Sequence, residues 1–280
     1  MGSSDSVRNA IKSAGKYCAV VLIVFLVSVP FIWMVLSSLK TDQELCSWPP
    51  HLFPRHPTIE YFKDLETQMN ISMYMKNSLL VAIGTIGLCL FLSTMGAYAL
   101  TRFRFRGRQA IANIILLAYT FPSMLLAIPL FIIFSKIGMS NKLWSLVLAH
   151  TTFSFPFMLW FLWGFFKTIP IHLEEAAMLD GATRLQVIRH VVLPISLPGI
   201  VAVAIFAFIV SWNDYLFALV MISSEGLKTV PLALSSLAGL ETMSWGIIMA
   251  AGVIISIPPI IFFIFVQKHM FKGFGVGVIE

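Results

Sequence analysis

The sequence predicts an all-α polytopic membrane protein with six transmembrane helices, and three observations predict it. Of its 280 residues, 58% are hydrophobic and only 11% charged, against about 25% charged in a soluble domain. Its apolar residues fall into runs of bilayer length, since about 20 residues at about 1.5 Å each cross a core of roughly 30 Å. No polar stretch between those runs is long enough to build a separate soluble core. The net charge of +6 sits mainly in short loops, where Lys and Arg orient spans, so nucleic acid is not an expected partner.

Residues 1–16 form a polar tail with Arg8, Lys12, Lys16 and one acid, Asp5. The first span covers 17–36. It is too long for a signal-peptide apolar region, no small-residue cleavage site ends it, and it is expected to stay, with the amino terminus in the cytoplasm. The long loop from 38 to about 74 is rich in Pro and aromatics, and its acids (Asp42, Glu44, Glu60, Asp64, Glu66) offset its bases. That balance suits an external loop, which is either a structured cap or a docking surface for an external protein.

The second span, 75–100, carries Gly84, Gly87, Ser93, Gly96 and Ala97, small residues suited to close helix packing in lipid. Four arginines follow in seven residues, Arg102, Arg104, Arg106 and Arg108, interleaved with Phe103 and Phe105. In a short loop between spans they read as a cytoplasmic anchor. The third span, 110–134, is expected to break at Pro122 and Pro129. The fourth, 144–166, contains Pro156 and places Trp160 and Trp163 near its inner end. Such prolines are tolerated where neighbours satisfy the freed backbone groups, and they hint at a pathway.

Residues 167–198 are a polar island on the side of the arginine loop. Pro170 suits a helix start, and Leu173, Ala176 and Ala177 share one face. Gly181 is placed to end that helix in a left-handed turn. Thr183 and Gln186 have capping-box spacing and open a second helix, with Leu185, Ile188, Val191 and Val192 as its apolar stripe. Pro194 and Pro198 are expected to stop it. The fifth span, 199–221, contains Trp212, Asn213, Asp214 and Tyr215. An acid inside a span is a functional candidate by default, so Asp214 is either an interhelical or interfacial contact or part of a pathway. An external segment with Glu225, Lys228 and Glu241 leads to the sixth span, 245–266, with Pro258 and Pro259. The basic tail, 268–280, returns to the cytoplasm. By this assignment 12 of the 19 Lys and Arg residues lie on inner segments.

Catalysis and metal binding find no support. Cys18, Cys46 and Cys89 and the six histidines are dispersed without metal or redox spacing. No phosphate-binding loop is present, because Gly226-Leu227-Lys228-Thr229 lacks the spacing. No nucleophile, base and orienting group converge.

The run Glu175-Ala176-Ala177, then Gly181, then Val191-Val192-Leu193-Pro194 resembles the cytoplasmic coupling loop of bacterial ABC importer permeases, with Val191 in place of the usual Ile. Further stretches are similar to the carbohydrate-type group, in particular to the second permease of maltose and glycerol-3-phosphate importers. They are Lys76-Asn77-Ser78-Leu79, Ala97-Tyr98-Ala99-Leu100, Arg102-Phe103-x-Phe105-x-Gly107-Arg108, Ile128-Pro129-Leu130-Phe131 and Trp212-Asn213-Asp214-Tyr215. The tail Gly275-Val276-Gly277-Val278-Ile279-Glu280 departs from that group's ending.

The resemblance implies a type I ABC importer permease fold over 17–267, in a bacterial inner membrane with both termini cytoplasmic. It implies import of a sugar or sugar-like solute, an oligosaccharide, disaccharide or glycerol-3-phosphate. The partners implied are a second permease, an ATPase subunit dimer and an extracytoplasmic solute-binding protein. ATP and Mg would be bound by the ATPase, and this chain would hold no cofactor and catalyse no reaction. Glu175, Ala176, Ala177, Asp180, Gly181, Leu193 and Pro194 would couple to the ATPase, with the Ala176/Ala177 face seated in its groove. Trp212, Asn213, Asp214 and Tyr215 are the candidate pathway residues. The alternative class is an ion-driven secondary transporter, for which Asp214 is the one obvious intramembrane charge; a structural or signalling membrane protein is a third.

Overall fold

The computed structural model describes residues 2–238 and 244–274, all helix, turn and loop with no strand among them. Glu241 and the tail residues 275–280 lie outside the described residues. In chain order the helices are α1 (Gly2–Ser37), α2 (Asp42–Leu45), α3 (Glu60–Thr67), α4 (Ile71–Arg102), α5 (Arg108–Tyr119), α6 (Ser123–Lys136) and α7 (Leu143–Lys167). Then come α8 (Ile171–Leu179), α9 (Arg184–Val187), α10 (Leu193–Ile195), α11 (Leu197–Trp212), α12 (Leu216–Met221), α13 (Val230–Ala238) and α14 (Trp245–Phe274). Among the described residues four stretches are single helices long and apolar enough to cross a membrane: Gly15–Ser37, Ile71–Arg102, Leu143–Lys167 and Trp245–Lys268. Two further spans exist if each of two bent helix pairs counts as one, giving six.

The bent pairs bear out one expected proline break and correct others. α5 and α6 meet at 100°, so the third span is two short helices. The break falls at Pro122, which lacks an N–H and disfavours helical angles in the residue before it. α6 runs unbroken through Pro129. Likewise the rod Arg184–Ile195 meets α11 at 81°. That rod passes through Pro194 after a π-helical turn at Ile188–Val192 and bends only at Ser196. Pro194 therefore does not stop the helix, and Pro198 starts α11, where its missing donor has no partner to lose. The fifth span is also interrupted, ending at Trp212 and restarting at Leu216.

The chain divides into two compact units, 1–70 with 238–256 and 71–237 with 257–280. In the first, α1 exposes apolar side chains all round, from Tyr17 to Val35, as a helix immersed in lipid does. Its external loop is ordered around Glu44, whose Oε1 accepts from the Arg55 and His56 backbone N–H groups at 3.1 and 2.8 Å. The Tyr61 ring lies over Gly246, where a Cβ would sit 2.1 Å from it. Burial there pushes the Tyr61 phenol up to about 12.

In the second unit α4, α7 and α11 pack most closely. Gly84 and Gly96 let α4 approach α7: a Cβ would meet Val147 Cγ2 at 3.0 Å and Leu159 Cδ1 at 2.5 Å. Gly87 faces open space and has no such role. One core cluster joins Tyr98, Leu162, Phe166 and Val203 to Val187 and Val192 of the polar island. At the opposite end, the start of α4 pins the segment after α12. Asn77 Nδ2 donates to the Gly226 and Lys228 carbonyls at 3.0 and 2.9 Å, and Ser78 Oγ accepts from Val230 N–H at 2.9 Å. Tyr74 O–H donates to Glu225 Oε1 at 2.8 Å. Asn141 Oδ1 accepts from the Ser223 and Ser224 N–H groups at 3.1 and 3.0 Å.

Candidate functional site

The polar island is a helix, a tight turn and a second helix, built by local chemistry. Gly181 takes φ +88°, which an L side chain resists. Its N–H donates to Met178 O at 3.1 Å and that of Ala182 to Ala177 O at 3.0 Å, closing α8 in a Schellman turn. Thr183 and Gln186 then form a reciprocal capping box at the start of α9.

Sequence reading missed what holds this loop. Glu174 is buried, and its Oε1 accepts from Arg102 Nε at 2.7 Å and lies 2.6 Å from Nη2. Its Oε2 accepts from Tyr98 O–H at 3.1 Å. Arg102 Nη2 also donates to Ile169 O at 3.1 Å, just before α8. Arg184 lies 5.1 Å from the Phe103 ring centre. Arg102 and Phe103 are thus bolts between the arginine loop and the island. The pair was unreadable because its members are distant in sequence, although Glu174 shares a helix face with Ala177, Met178 and Gly181.

That face inverts part of the expectation. Ala177 shares Glu174's inward side, three residues on, and is half-buried against the core, while Glu175 and Ala176 are exposed. Asp180 is the exposed C-cap of α8. The outward surface is apolar at Ile171, Leu173, Leu179 (89% exposed) and Leu185 (69%). Leu193 and Pro194 point elsewhere, lining an apolar groove of about 620 Å³ with Leu90, Phe91, Thr94 and Arg189. His172, Glu175 and Asp180 are exposed among the loop's exposed apolar residues, so the loop presents a mixed surface of apolar and polar side chains.

The second feature is a cavity of about 540 Å³ inside the α5–α6 bend, facing α7, α11 and α12. Of the four predicted pathway residues only Asp214 lines it. Trp212 is buried and stacks on Phe208, with ring centres 5.5 Å apart. Asn213 is exposed and donates to Ile209 O at 3.0 Å, and Tyr215 is exposed. The Asp214 carboxylate accepts from the Phe217 and Ala218 N–H groups at 3.3 and 3.1 Å, restarting the helix as α12. Oδ2 also lies 3.1 Å from Nε2 of His150, a buried α7 residue whose Nδ1 is 3.0 Å from Ser211 Oγ. Sequence reading passed over His150; its place inside an apolar span was the available signal. No cluster of three or more potential metal ligands occurs among the described residues.

Broken spans around a cavity, with an anchored loop at one end, are features of a multi-pass membrane protein. The model of the family described as "binding-protein-dependent transport system inner membrane component" matches residues 90–275, and the chain belongs to that family. It is 33% identical over 275 residues to the inner membrane ABC transporter permease protein YcjP of Escherichia coli, covering 98% of each chain. It is 34% identical over 262 residues to the diacetylchitobiose uptake system permease protein DasC of Streptomyces coelicolor, covering 94% of this chain and 95% of that one. Its fold matches a crystal structure of a bacterial ABC transporter involved in importing the acidic polysaccharide alginate. That match has a TM-score of 0.77 and 20% identity, covering 96% of this chain and 98% of the other. The chain is therefore an ABC permease subunit, and ATP hydrolysis belongs to a separate subunit; the ion-driven alternative is set aside.

Proposed function

We propose that this chain is one of two unlike permease subunits of an importer for a sugar or sugar-like solute, driven through its 171–198 loop by an ATPase dimer. The observation that carries the coupling role is the buried Glu174–Arg102 ion pair beneath the exposed surface of α8, on which Leu179 is 89% exposed. Leu179, Leu185, Ala176 and Glu175 dock on the ATPase, and Gly181 permits the turn that presents them. When ATP closes the ATPase dimer the loop moves, and the ion pair passes that displacement to the inner end of α4. Relatives named for sugar uptake, such as the diacetylchitobiose permease, support the cargo class. An external solute-binding protein delivers the cargo, and both termini lie on the cytoplasmic side with the arginine loop. ATP and Mg are held by the ATPase and none by this chain.

Purification of the tagged chain in a mild detergent tests the reading. The expected result is copurification of an ATPase subunit and a second permease, with ATP-dependent sugar uptake once the binding protein is added to proteoliposomes. Recovery of the chain alone, or uptake that follows an ion gradient without ATP, would sink it.

A further inference from the structure

We propose that the cavity at the α5–α6 bend is a saccharide subsite on this chain, with Asp214, set in place by His150, holding ring hydroxyls between walls formed by Tyr119, Phe153 and Phe206. The inference rests on the importer reading above and adds that this subunit itself touches the cargo. Its volume of about 540 Å³ falls within the roughly 300–1,000 Å³ of small-ligand sites. The aromatic walls are fixed before any ligand arrives. Phe157 packs on both Tyr119 and Phe206, with ring centres 5.5 and 4.4 Å away, and Phe217 supports Phe153 at 5.0 Å. Flat ring faces suit the C–H faces of a sugar.

The polar groups are also fixed. His150 is 2% exposed and held from one side by Ser211. Asp214 is held by two backbone N–H groups and by His150. A carboxylate has about four acceptor sites, so Asp214 keeps capacity for a hydroxyl donor. Thr120 and Ser123 stand on the bend across the cavity. Interrupted helices at membrane depth persist where they line a cavity or are buried in protein, and both the α5–α6 and α11–α12 breaks border this one. The carboxylate selects the ligand class: a neutral hydroxylated ring donates to it, whereas an acidic sugar meets a like charge.

The test uses the whole transporter with its binding protein in proteoliposomes, given labelled glucose, maltose, trehalose and diacetylchitobiose as probes. Val210→Trp fills the cavity and is expected to lower uptake at least tenfold in assembled complexes. Ile209→Trp, on the neighbouring outward side, is expected to transport as the wild type does. Phe206→Leu and Asp214→Asn are expected to change the ratio of rates between probes at least threefold, an effect that loss of general packing would not produce because it would scale all probes together. Should Val210→Trp fail to assemble, these two variants decide. Wild-type uptake by an assembled Val210→Trp transporter, or unchanged ratios in both other variants, overturns the subsite while leaving the importer reading intact. A wild-type transporter whose binding protein binds no saccharide, and which hydrolyses ATP while importing a solute without ring hydroxyls, overturns the sugar reading and the subsite with it.

Discussion

Replacing Glu174 by Gln keeps the shape of the side chain and removes its charge. Arg102, whose side chain is 9% exposed, then holds a guanidinium out of water with no counter-ion. Removing one partner of such a pair costs about 3–5 kcal/mol. The substituted amide still offers one carbonyl oxygen to Arg102 or Tyr98, which places the expected loss near the lower figure. At about 1.4 kcal/mol per decade, about 3 kcal/mol raises the population of a detached loop roughly a hundredfold. Two assays read this. Trypsin cleavage after the exposed Arg184 and Arg189 should accelerate in proportion, and sugar uptake per ATP hydrolysed should fall. Replacing both partners, Glu174→Leu with Arg102→Met, is expected to recover most of the lost stability, because a buried pair exchanged for apolar residues of similar volume is often neutral. Wild-type protease resistance and wild-type coupling in Glu174→Gln would refute the claim that this pair mounts the loop.

Gly181→Ala or Gly181→Asp places a Cβ at φ +88° and should cost about 1–2 kcal/mol. Uptake per ATP should fall at least fivefold, and intact assembly with intact uptake would contradict this. Gly96→Val drives a methyl into Leu159 and should destabilise the α4–α7 contact by about 1–3 kcal/mol, while Gly87→Val, in open space, should melt as the wild type does; thermal unfolding in detergent checks both. The Glu225 carboxyl is held below its ordinary value of 4.5, first by the hydrogen bond with Lys228 and then by Tyr74. A depressed carboxylate stabilises the fold above that ordinary value, and the contribution is lost as pH falls through the folded one. Because Glu225 is 68% exposed, the effect should stay below about 1 kcal/mol. It is read as a small acid-side decline in melting temperature that Glu225→Gln lacks.

The features legible in the sequence were those set by neighbouring residues. Gly181 and the Thr183–Gln186 box lie within a few positions of what they bond, so spacing alone placed the turn and the second helix start. Asp214 stood out because a charge in an apolar run has few structural excuses, but its partner His150 comes from another helix and depends on how α7 packs against α11. Arg102 was hidden by its company. Four arginines in a short loop have one sufficient explanation in membrane topology, and nothing local distinguishes the one that turns inward to Glu174. Prolines behaved similarly: Pro122 breaks the chain and Pro129 does not, a choice made by the surrounding packing. Residues Ala176 and Ala177 adjoin, yet about 100° of helix rotation per residue sends one outward and the other into the core.

If the exposed face of α8 is where the ATPase drives this subunit, photocrosslinking will trap the two in contact. A benzophenone amino acid placed at Leu179, the most exposed apolar position of the loop, is irradiated in the assembled transporter, with Leu117, exposed on α5, as the comparison site. The expected outcome is an adduct with the ATPase subunit from Leu179, changed in yield by ATP, and none from Leu117. An intact, transporting complex that gives no ATPase adduct from Leu179 would show that the ATPase pushes elsewhere.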